Sequence, residues 1–564
     1  MEAALATEGI DVEEELSQDM SEILCRANLT QVQKLFLQQQ IEASTKPDAR
    51  GHRWHPAMIR LALHIKMIST SAYDALKDSG FLKLPCNRTL FNYSHFINPT
   101  EGISPGLIEL VKKQLTKIGN EEHQKYFALL VDEMYISKNL VYRSSDGKLI
   151  GYTHLDEVDK EIAELENRLQ SAAAGEENSS KTPQPALANK MLAFMVKGLC
   201  SSIKCVVASY ACSELNKDML YTRSWDVISN LELAGIKVLC YVCDGNASNR
   251  AFFSMHTPAT TGHEVMFDTI NFCSPERRPL YFVSDVCHLL KTARNCFHNS
   301  GREENKTRCL RVNNEFIEWK TIIRLYQTYK TRTFRKSYKL NPQNVFINSF
   351  SAMKVKFAAQ VLSNTVASDL QKQKWPGLTE TIKFIRMFNK FFDTLNGAHS
   401  SQWIKTKNHD LKPYDKPDDE RFKWLKENFL VYLKDWKKKN EEELKLPPKE
   451  LEKTILAQPT LDGLEISIRS IEACISFLLK KGAKFVMARA FSQDPLEQHF
   501  SRQRSGFGGS TNPNALQTQQ RIVSLAVQGQ LGIKRRGANV QDEDEKIENL
   551  SESLPKRPNQ RKTN

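Results

Sequence analysis

Residues 126–136 read YFALLVDEMYI, an apolar run broken only by the acidic residues Asp132 and Glu133. A second run, IKVLCYVCDG at residues 236–245, places Asp244 directly after KVLCYVC. Short runs of this kind, rich in β-branched and aromatic residues, predict strands that are buried on both faces. We therefore predict two buried strands, each with an aspartate at the point where its apolar run ends.

Further strand-like segments surround these two runs. They are LVYRSSDGKLIGYTHL, a hairpin with Asp146-Gly147 at its turn, then MLAFMV, IKCVVASYA and PLYFVSD. A helix is predicted over Trp225–Leu233, and residues 156–189 read as a charged helix followed by a linker-like surface loop. Three hairpin-like strands, a helix and two more strands are the element order of an RNase H-like sheet, which we predict over residues 120–291.

The acids at the strand ends are candidate metal ligands. Phosphodiester cleavage and strand transfer are served by two divalent metals about 3.5–4 Å apart, and Mg²⁺ prefers carboxylate oxygens. Asp132 and Asp244 would supply two such carboxylates from adjacent strands. The alternative is structural, because an aspartate after a strand is often a turn former or a helix N-cap.

A third acid is expected late in the chain, in QDPLEQHFSRQR at residues 493–504. Asp494 and Glu497 are three residues apart and would share one face of a helix. Asp494 precedes Pro495, which predicts an N-cap followed by proline at the first helical position. This role accounts for Asp494, whereas Glu497 has less structural reason to be there and is the candidate catalytic acid.

The N-terminal part is predicted to be helical. Residues 1–50 form a helical or disordered segment, and residues 51–100 read as three short helices joined by tight turns, the pattern of a helix-turn-helix domain. The first helix carries its apolar residues at helical spacing, Met58, Leu61, Ile65 and Ile68. Residues 88–95 would be the DNA-facing helix. A plain helical spacer is the open alternative.

The later part of the chain divides into three regions. Residues 292–465 are helical, strongly charged and rich in Lys and Trp, and core packing is the preferred role of the tryptophans over base stacking. Residues 466–530 form a compact piece that carries Glu497. Residues 531–564 are predicted to be a disordered tail, in which KRR and PKRPNQRK suggest nuclear import or tail solubility.

Composition favours a polyanionic partner. The chain has 564 residues, a net charge of +13 and a pI near 9.0, with 40% hydrophobic and 26% charged residues. No stretch approaches the ~18 uninterrupted apolar residues of a membrane span, so we expect no membrane partner. The acidic N-terminus lacks a secretory pattern, and the twelve scattered cysteines favour reduced thiols.

Several blocks of this sequence resemble those of P element transposases and the THAP-domain transposase-like proteins of animals. The blocks are VDEMYISKNLVYRSSDGKLIGY, CDGNASNR, DVCHLLKTARN, VKFAAQVLSNTVA and DPLEQHFSRQR. RWHPAMIRLALHIKMISTSAYDALKDSGFLKLPCNRTL resembles the helix-turn-helix block of the family. The matches follow the family order from about residue 53 to residue 526, nearly the whole chain.

The resemblance implies an α/β fold in which an RNase H-like core is split by a large, mainly α-helical insertion domain and preceded by a small helix-turn-helix domain. It implies that Asp132, Asp244 and Glu497 are catalytic acids that bind Mg²⁺ or Mn²⁺. It also implies a GTP cofactor that serves assembly on DNA without hydrolysis.

By the same resemblance, GTP contacts fall on Asp285, Lys291 and Asp494. The sequence contains no Gly-x-x-x-x-Gly-Lys-Ser/Thr phosphate loop, so composition alone would not have suggested a nucleotide. Asp285 and Lys291 could instead be a helix start and a solvated side chain. His288, between them, either lines the nucleotide site or begins a helix. The implied partners are DNA, as transposon ends and target, and further copies of the chain in the nucleus.

One departure from the family pattern keeps two functions open. Family members usually begin with a zinc-binding THAP module, but Cys25 and Cys86 are the only cysteines before Cys200, so this sequence cannot form one. Retention of all three acids favours a transposase that cuts and joins DNA. Absence of the module favours a domesticated protein that binds DNA or GTP without cutting.

Overall fold

A computed structural model describes residues 28–45, 52–119, 121–144, 146–153, 186–256, 265–330, 337–505 and 512–528, together with residue 554. The strands are β1 (Gly102–Ile103), β2 (Tyr126–Tyr135), β3 (Val141–Arg143), β4 (Lys148–Ile150), β5 (Lys190–Gly198), β6 (Lys204–Cys212), β7 (Lys237–Cys243), β8 (Asp268–Ile270), β9 (Pro279–Ser284), β10 (Arg311–Val312) and β11 (Glu315–Phe316). None of the helices in these ranges has the length and apolar character needed to cross a bilayer.

Most of the described chain outside the strands is helical. The α-helices are α1 (Gln31–Thr45), α2 (Pro56–Ile68), α3 (Thr70–Asp78), α4 (Asn87–Ser94), α5 (Pro105–Ile118), α6 (Lys217–Leu233), α7 (Ala247–Ser254), α8 (Val286–His298), α9 (Lys320–Lys330), α10 (Pro342–Val345), α11 (Ser349–Ala352), α12 (Val355–Val361), α13 (Asn364–Lys372), α14 (Thr379–Leu395), α15 (Gln402–Thr406), α16 (Glu420–Trp424), α17 (Val431–Leu444), α18 (Pro448–Leu451), α19 (Gln458–Lys480), α20 (Asp494–Ser505) and α21 (Ala515–Gln528). A π-helical segment, Leu425–Leu430, joins α16 to α17. Short 3₁₀ turns lie at Glu122–Lys125, His409–Leu411, Glu452–Thr454 and Ala488–Phe491.

The central feature is a seven-stranded sheet in the order β1-β6-β5-β2-β7-β9-β8. β2 pairs antiparallel with β5 on one side and parallel with β7 on the other, and β9 continues the parallel part. Leu130 lies opposite Val242, so two residues further along each strand the chain reaches Asp132 and Asp244. This topology confirms the predicted RNase H-like sheet and brings the two aspartates to one edge of it.

The predicted hairpin forms outside the main sheet. β3 and β4 make a separate two-stranded sheet, and Gly147 has φ 71°, the left-handed conformation that glycine tolerates in a tight turn. Most of the segment predicted to interrupt the fold, residues 154–185, lies outside the described residues.

Three short helices form between residues 56 and 94, as predicted. Their shared core contains Ile59, Leu63, Tyr73 and Leu90, together with Val527 of α21. The predicted apolar face of α2 is only partly correct: Met58 is buried and Ile65 packs on the core, but Ile68 is 46% exposed, and the buried residues also include Ile59 and Leu63. The reason is that α2 packs against α3, α4 and α21 at once, and those contacts also bury residues outside the predicted face.

The region after α8 is predominantly helical, as the sequence predicted. Trp319 and Trp436 are buried, and their indole N–H groups donate to the carbonyl oxygens of Val345 and Arg311 at 3.0 and 2.7 Å. These two tryptophans therefore serve core packing. The predicted boundary at 465/466 falls within the continuous helix α19.

Helix α19 returns the chain to the main sheet by packing against β9. The Ser467 hydroxyl accepts a hydrogen bond from the Ser284 N–H at 3.1 Å and lies 2.6 Å from the Ser284 carbonyl. Both side chains are buried, so the helix and the strand satisfy each other's polar groups in the core.

We predict that Ser467→Ala lowers the free energy of unfolding by about 1–3 kcal/mol, because it leaves the buried Ser284 N–H without its acceptor. Urea denaturation would measure the change. Ser254→Ala is the matched control, since the exposed Ser254 hydroxyl donates only to a carbonyl of its own helix; it should shift stability by less than about 0.5 kcal/mol. Equal effects of the two substitutions would contradict this account of the joint between α19 and β9.

Candidate active site

The three predicted catalytic acids lie on three elements that meet at one edge of the main sheet. Asp132 lies near the end of β2, Asp244 directly follows β7, and Glu497 lies one turn into α20. Asp132 is half-buried, and its carboxylate accepts the Glu133 N–H at 2.8 Å. Asp244 accepts the side-chain amide of Asn249 at 2.8 Å.

Electrostatics show that these acids share one environment. Burial raises the pKa of Asp132 from 3.8 to about 7, and the negative charges of Asp244 and Glu497 add to the rise. A carboxyl group with this pKa is in a place that resists negative charge unless a cation is present. The structure thus brings together the residues that sequence reasoning selected, although their catalytic role remains a prediction.

His288 is a site residue whose role the sequence left open. Its Nε2 lies 2.8 Å from Oε1 of Glu497, so α8 and α20 are joined at the acid cluster. Burial lowers the pKa of His288, but the hydrogen bond to Glu497 and the nearby Asp285 outweigh burial and leave it above the ordinary value. Lys291 lies one helical turn further, with Nζ 3.4 Å from Nδ1 of His288. In the sequence, His288 was indicated only by its place between Asp285 and Lys291 in the DVCHLLK block.

Gln493 positions the start of α20 against the sheet. Its side-chain amide donates, at 2.6 Å, to the carbonyl of Val131, which is the residue immediately before Asp132. Its backbone N–H donates to Oδ1 of Asp285 at 3.0 Å. Gln493 is buried and hydrogen-bonds to two other parts of the chain, so it fixes the position of the start of α20. Glu497, one turn later on the same helix, is thereby positioned at the cluster.

Asp285 and Asp494 are both buried and already engaged. Asp285 caps α8: Oδ2 accepts the His288 N–H at 2.9 Å, and its other oxygen accepts from Gln493. The prediction that Asp494 is an N-cap is wrong, because α20 begins at Asp494 and its carboxylate pairs with Arg489 at 2.5 and 2.9 Å. The cause is a tertiary ion pair, which sequence spacing does not reveal.

The donor set at the cluster fits a hard divalent cation. Asp132, Asp244 and Glu497 offer carboxylate oxygens, which suit Mg²⁺ or Mn²⁺. Within the described ranges, no three His, Cys, Asp or Glu side chains are already arranged around a common metal position. Two of these acids, Asp244 and Glu497, hydrogen-bond to Asn249 and His288. A bound cation would offset both the burial and the repulsion from neighbouring carboxylates that raise the pKa of Asp132.

The sheet order, the acid cluster and the long helical region before α19 define an RNase H-like domain split by an insertion. Three family models match the chain in that order: TNP-like, RNase H N-terminal domain at residues 99–256; TNP-like, GTP-binding insertion domain at 287–408; and TNP-like, RNase H C-terminal domain at 490–520. Together they cover more than half of the chain.

Comparison with known proteins agrees. The transposable element P transposase of Drosophila melanogaster is 22% identical over 471 residues, which are 82% of this chain and 53% of the relative. The human DNA transposase THAP9 is 20% identical over 352 residues, 61% of this chain and 35% of the relative. The chain thus spans about half, or less, of the length of the curated relatives it matches.

A solved structure, the Drosophila P element transposase strand transfer complex, aligns with a TM-score of 0.65 at 20% identity. The alignment covers 92% of this chain and 99% of that chain, and at this identity it establishes the fold. With the three domain matches in family order, the chain belongs to the P element transposase family.

We predict that Asp132→Asn stabilises the metal-free protein at neutral pH. A carboxyl group whose pKa is raised from 3.8 to about 7 on folding binds its proton more tightly in the folded state, so the wild type loses stability as pH rises between those values. Asparagine removes that loss. Urea denaturation in chelator should show a gain for the variant at pH 8 that disappears at pH 4.

The control for this prediction is Asp146→Asn, which removes a turn aspartate whose pKa the paired Arg143 lowers. Removing it should give no gain at pH 8. A stability difference between Asp132→Asn and the wild type that is independent of pH would show that Asp132 carries no raised pKa.

Proposed function

We propose that this protein is a P element-type DNA transposase that catalyses metal-dependent DNA cleavage and strand transfer. The observation that carries the proposal is the meeting of Asp132, Asp244 and Glu497 at one sheet edge, although Asp244 and Glu497 are far apart in sequence. Membership of the transposase family supports the reaction class.

The roles of the residues follow from their positions. Asp132, Asp244 and Glu497 would hold one or two divalent cations, which supply activation of the attacking hydroxyl and stabilisation of the leaving oxygen. His288 holds the Glu497 carboxylate through its 2.8 Å contact and keeps α20 in place. Gln493 aligns the same helix with β2, since it bonds the residue before Asp132.

GTP is proposed as an assembly cofactor at the start of the insertion domain. The matched GTP-binding insertion domain begins at residue 287, within α8, and includes Lys291. Lys291 would neutralise a phosphate, and Asp285 and Asp494 would approach from α8 and α20. Both contacts of Arg489 fall on Oδ2 of Asp494, so Oδ1 is the oxygen that would accept from the guanine N1–H.

DNA is the proposed substrate, as transposon ends and as target, and the protein would act in the nucleus as a homo-oligomer. The net charge of +13 suits a polyanionic ligand. On α4, Arg88 is exposed and can reach a phosphate or a base edge, which supports a helix-turn-helix role for residues 51–100.

The catalytic proposal is tested with Asp132→Asn and Glu497→Gln. Each should reduce Mg²⁺-dependent nicking of duplex DNA by about a hundredfold or more, and each should weaken Mn²⁺ binding measured by calorimetry. Glu133→Gln is the matched control, because Glu133 follows Asp132 but pairs with Lys190 at 2.6 Å; it should keep both properties. DNA binding by the wild type without metal-dependent nicking would instead define a domesticated binding protein.

The nucleotide proposal is tested by calorimetric titration of GTP and ATP. The wild type should prefer GTP, because adenine has no donor at N1 for a carboxylate, and Asp494→Asn should weaken GTP binding about tenfold or more. Asp435→Asn, an exposed acid of the insertion, is the control. If both nucleotides bind the wild type equally, or if Asp494→Asn binds GTP normally, Asp494 serves only its Arg489 ion pair.

A further inference from the structure

Three large apolar side chains are exposed on one short stretch of the insertion domain. Phe346, Phe350 and Met353 are 53%, 75% and 57% exposed, and we refer to them as the apolar turn. Phe350 and Met353 are three residues apart across the helical turn α11, a spacing that brings side chains to one side of a helix. Clustered exposure of this kind marks an interaction surface more often than a scattered apolar residue does.

The apolar turn is held rigidly. Asn348 and Ser351 form a reciprocal capping box around α11, with hydrogen bonds of 2.8 and 2.9 Å. Arg294 of α8 donates to the Ala352 carbonyl at 2.8 Å. The ring of Phe346 rests edge-on against Tyr326 at 5.9 Å. The exposed side chains are therefore presented by an anchored backbone.

This surface is anchored to α8, the helix that begins at the candidate active site. Arg294 lies one helical turn after Lys291 on α8, the helix that also carries His288. The helix after the apolar turn, α12, packs against α8 as well.

The charge around the apolar turn suits a nucleic acid. Residues 319–368 contain no Asp or Glu. Lys354, which directly follows Met353, is partly exposed, and Lys356, two residues further on, is exposed. Aromatic rings beside lysines are the combination with which proteins bind single strands: bases stack on the rings while the cations meet the phosphates.

We propose that the apolar turn is a binding site for unpaired bases of a DNA strand, with Phe350 as the stacking ring and Lys354 and Lys356 as phosphate contacts. The inference rests on the proposed function and specifies the form of its substrate. Unpaired DNA is required because the faces of paired bases are covered by their neighbours in the duplex.

The test is fluorescence anisotropy with the full-length protein, a labelled oligodeoxythymidine of about 20 nucleotides, and a labelled duplex of the same length. Phe350→Ala should weaken single-strand binding about tenfold or more and leave duplex binding unchanged. Phe350→Trp should keep single-strand affinity, and Phe350→Leu should lose it, since leucine is apolar but has no ring. Phe272→Ala, which removes a 67% exposed phenylalanine outside this region, is the control.

If each variant unfolds at the same midpoint temperature as the wild type, Phe350 has no structural role. Three results would overturn the inference: Phe350→Ala weakens binding of single strand and duplex equally, Phe350→Leu keeps full single-strand affinity, or the wild type does not bind the single strand. So would a change of oligomeric state on Phe350→Ala, because the surface would then contact protein. Failure of the proposed transposase function would show separately, because the wild type would then not nick duplex DNA in the presence of metal.

Discussion

The parallel pairing of β2 with β7 is the constraint on which the rest of this structure depends. Strands that run side by side in the same direction end at the same edge, and the register with Leu130 opposite Val242 brings Asp132 level with Asp244. A shift of one residue would turn one of the two side chains to the other face of the sheet. The hydrogen-bond ladder of two apolar strands therefore decides whether the acids can share a cation.

The third acid reaches this edge by a long route. After β9 the chain leaves the sheet through the insertion domain and returns along α19, which packs on β9 through Ser467 and Ser284. Gln493 then bonds β2 and the cap of α8 together, and Glu497 follows one turn later. The entropic cost of closing a loop rises only slowly with the length of the loop, so a large insertion is compatible with a fixed site.

Negative charge at the site is balanced by neighbouring basic groups. His288 contacts Glu497, and Arg489 pairs with Asp494, so each of these two acids of α20 has a basic partner. Asp132 instead accepts the N–H of the neighbouring Glu133, and burial, together with the negative charges of Asp244 and Glu497, raises its pKa to about 7. Helix α8 connects the candidate site to the insertion, because it carries His288 and Lys291 in its first half and anchors the apolar turn through Arg294.

The sequence by itself determined the buried strands that carry Asp132 and Asp244, the three short N-terminal helices and the helical insertion, and it selected the three candidate acids, because apolar periodicity and strand-end acids are written in neighbouring residues. It did not determine the order of the strands in the sheet. It did not reveal which face of α2 is buried, the Arg489–Asp494 pair that replaces the expected N-cap, or the contact between His288 and Glu497. Those features depend on side chains that are distant in the chain or on several elements packing at once. Only the tertiary structure decides them, since burial and ion pairing are settled by what lies opposite a residue in space.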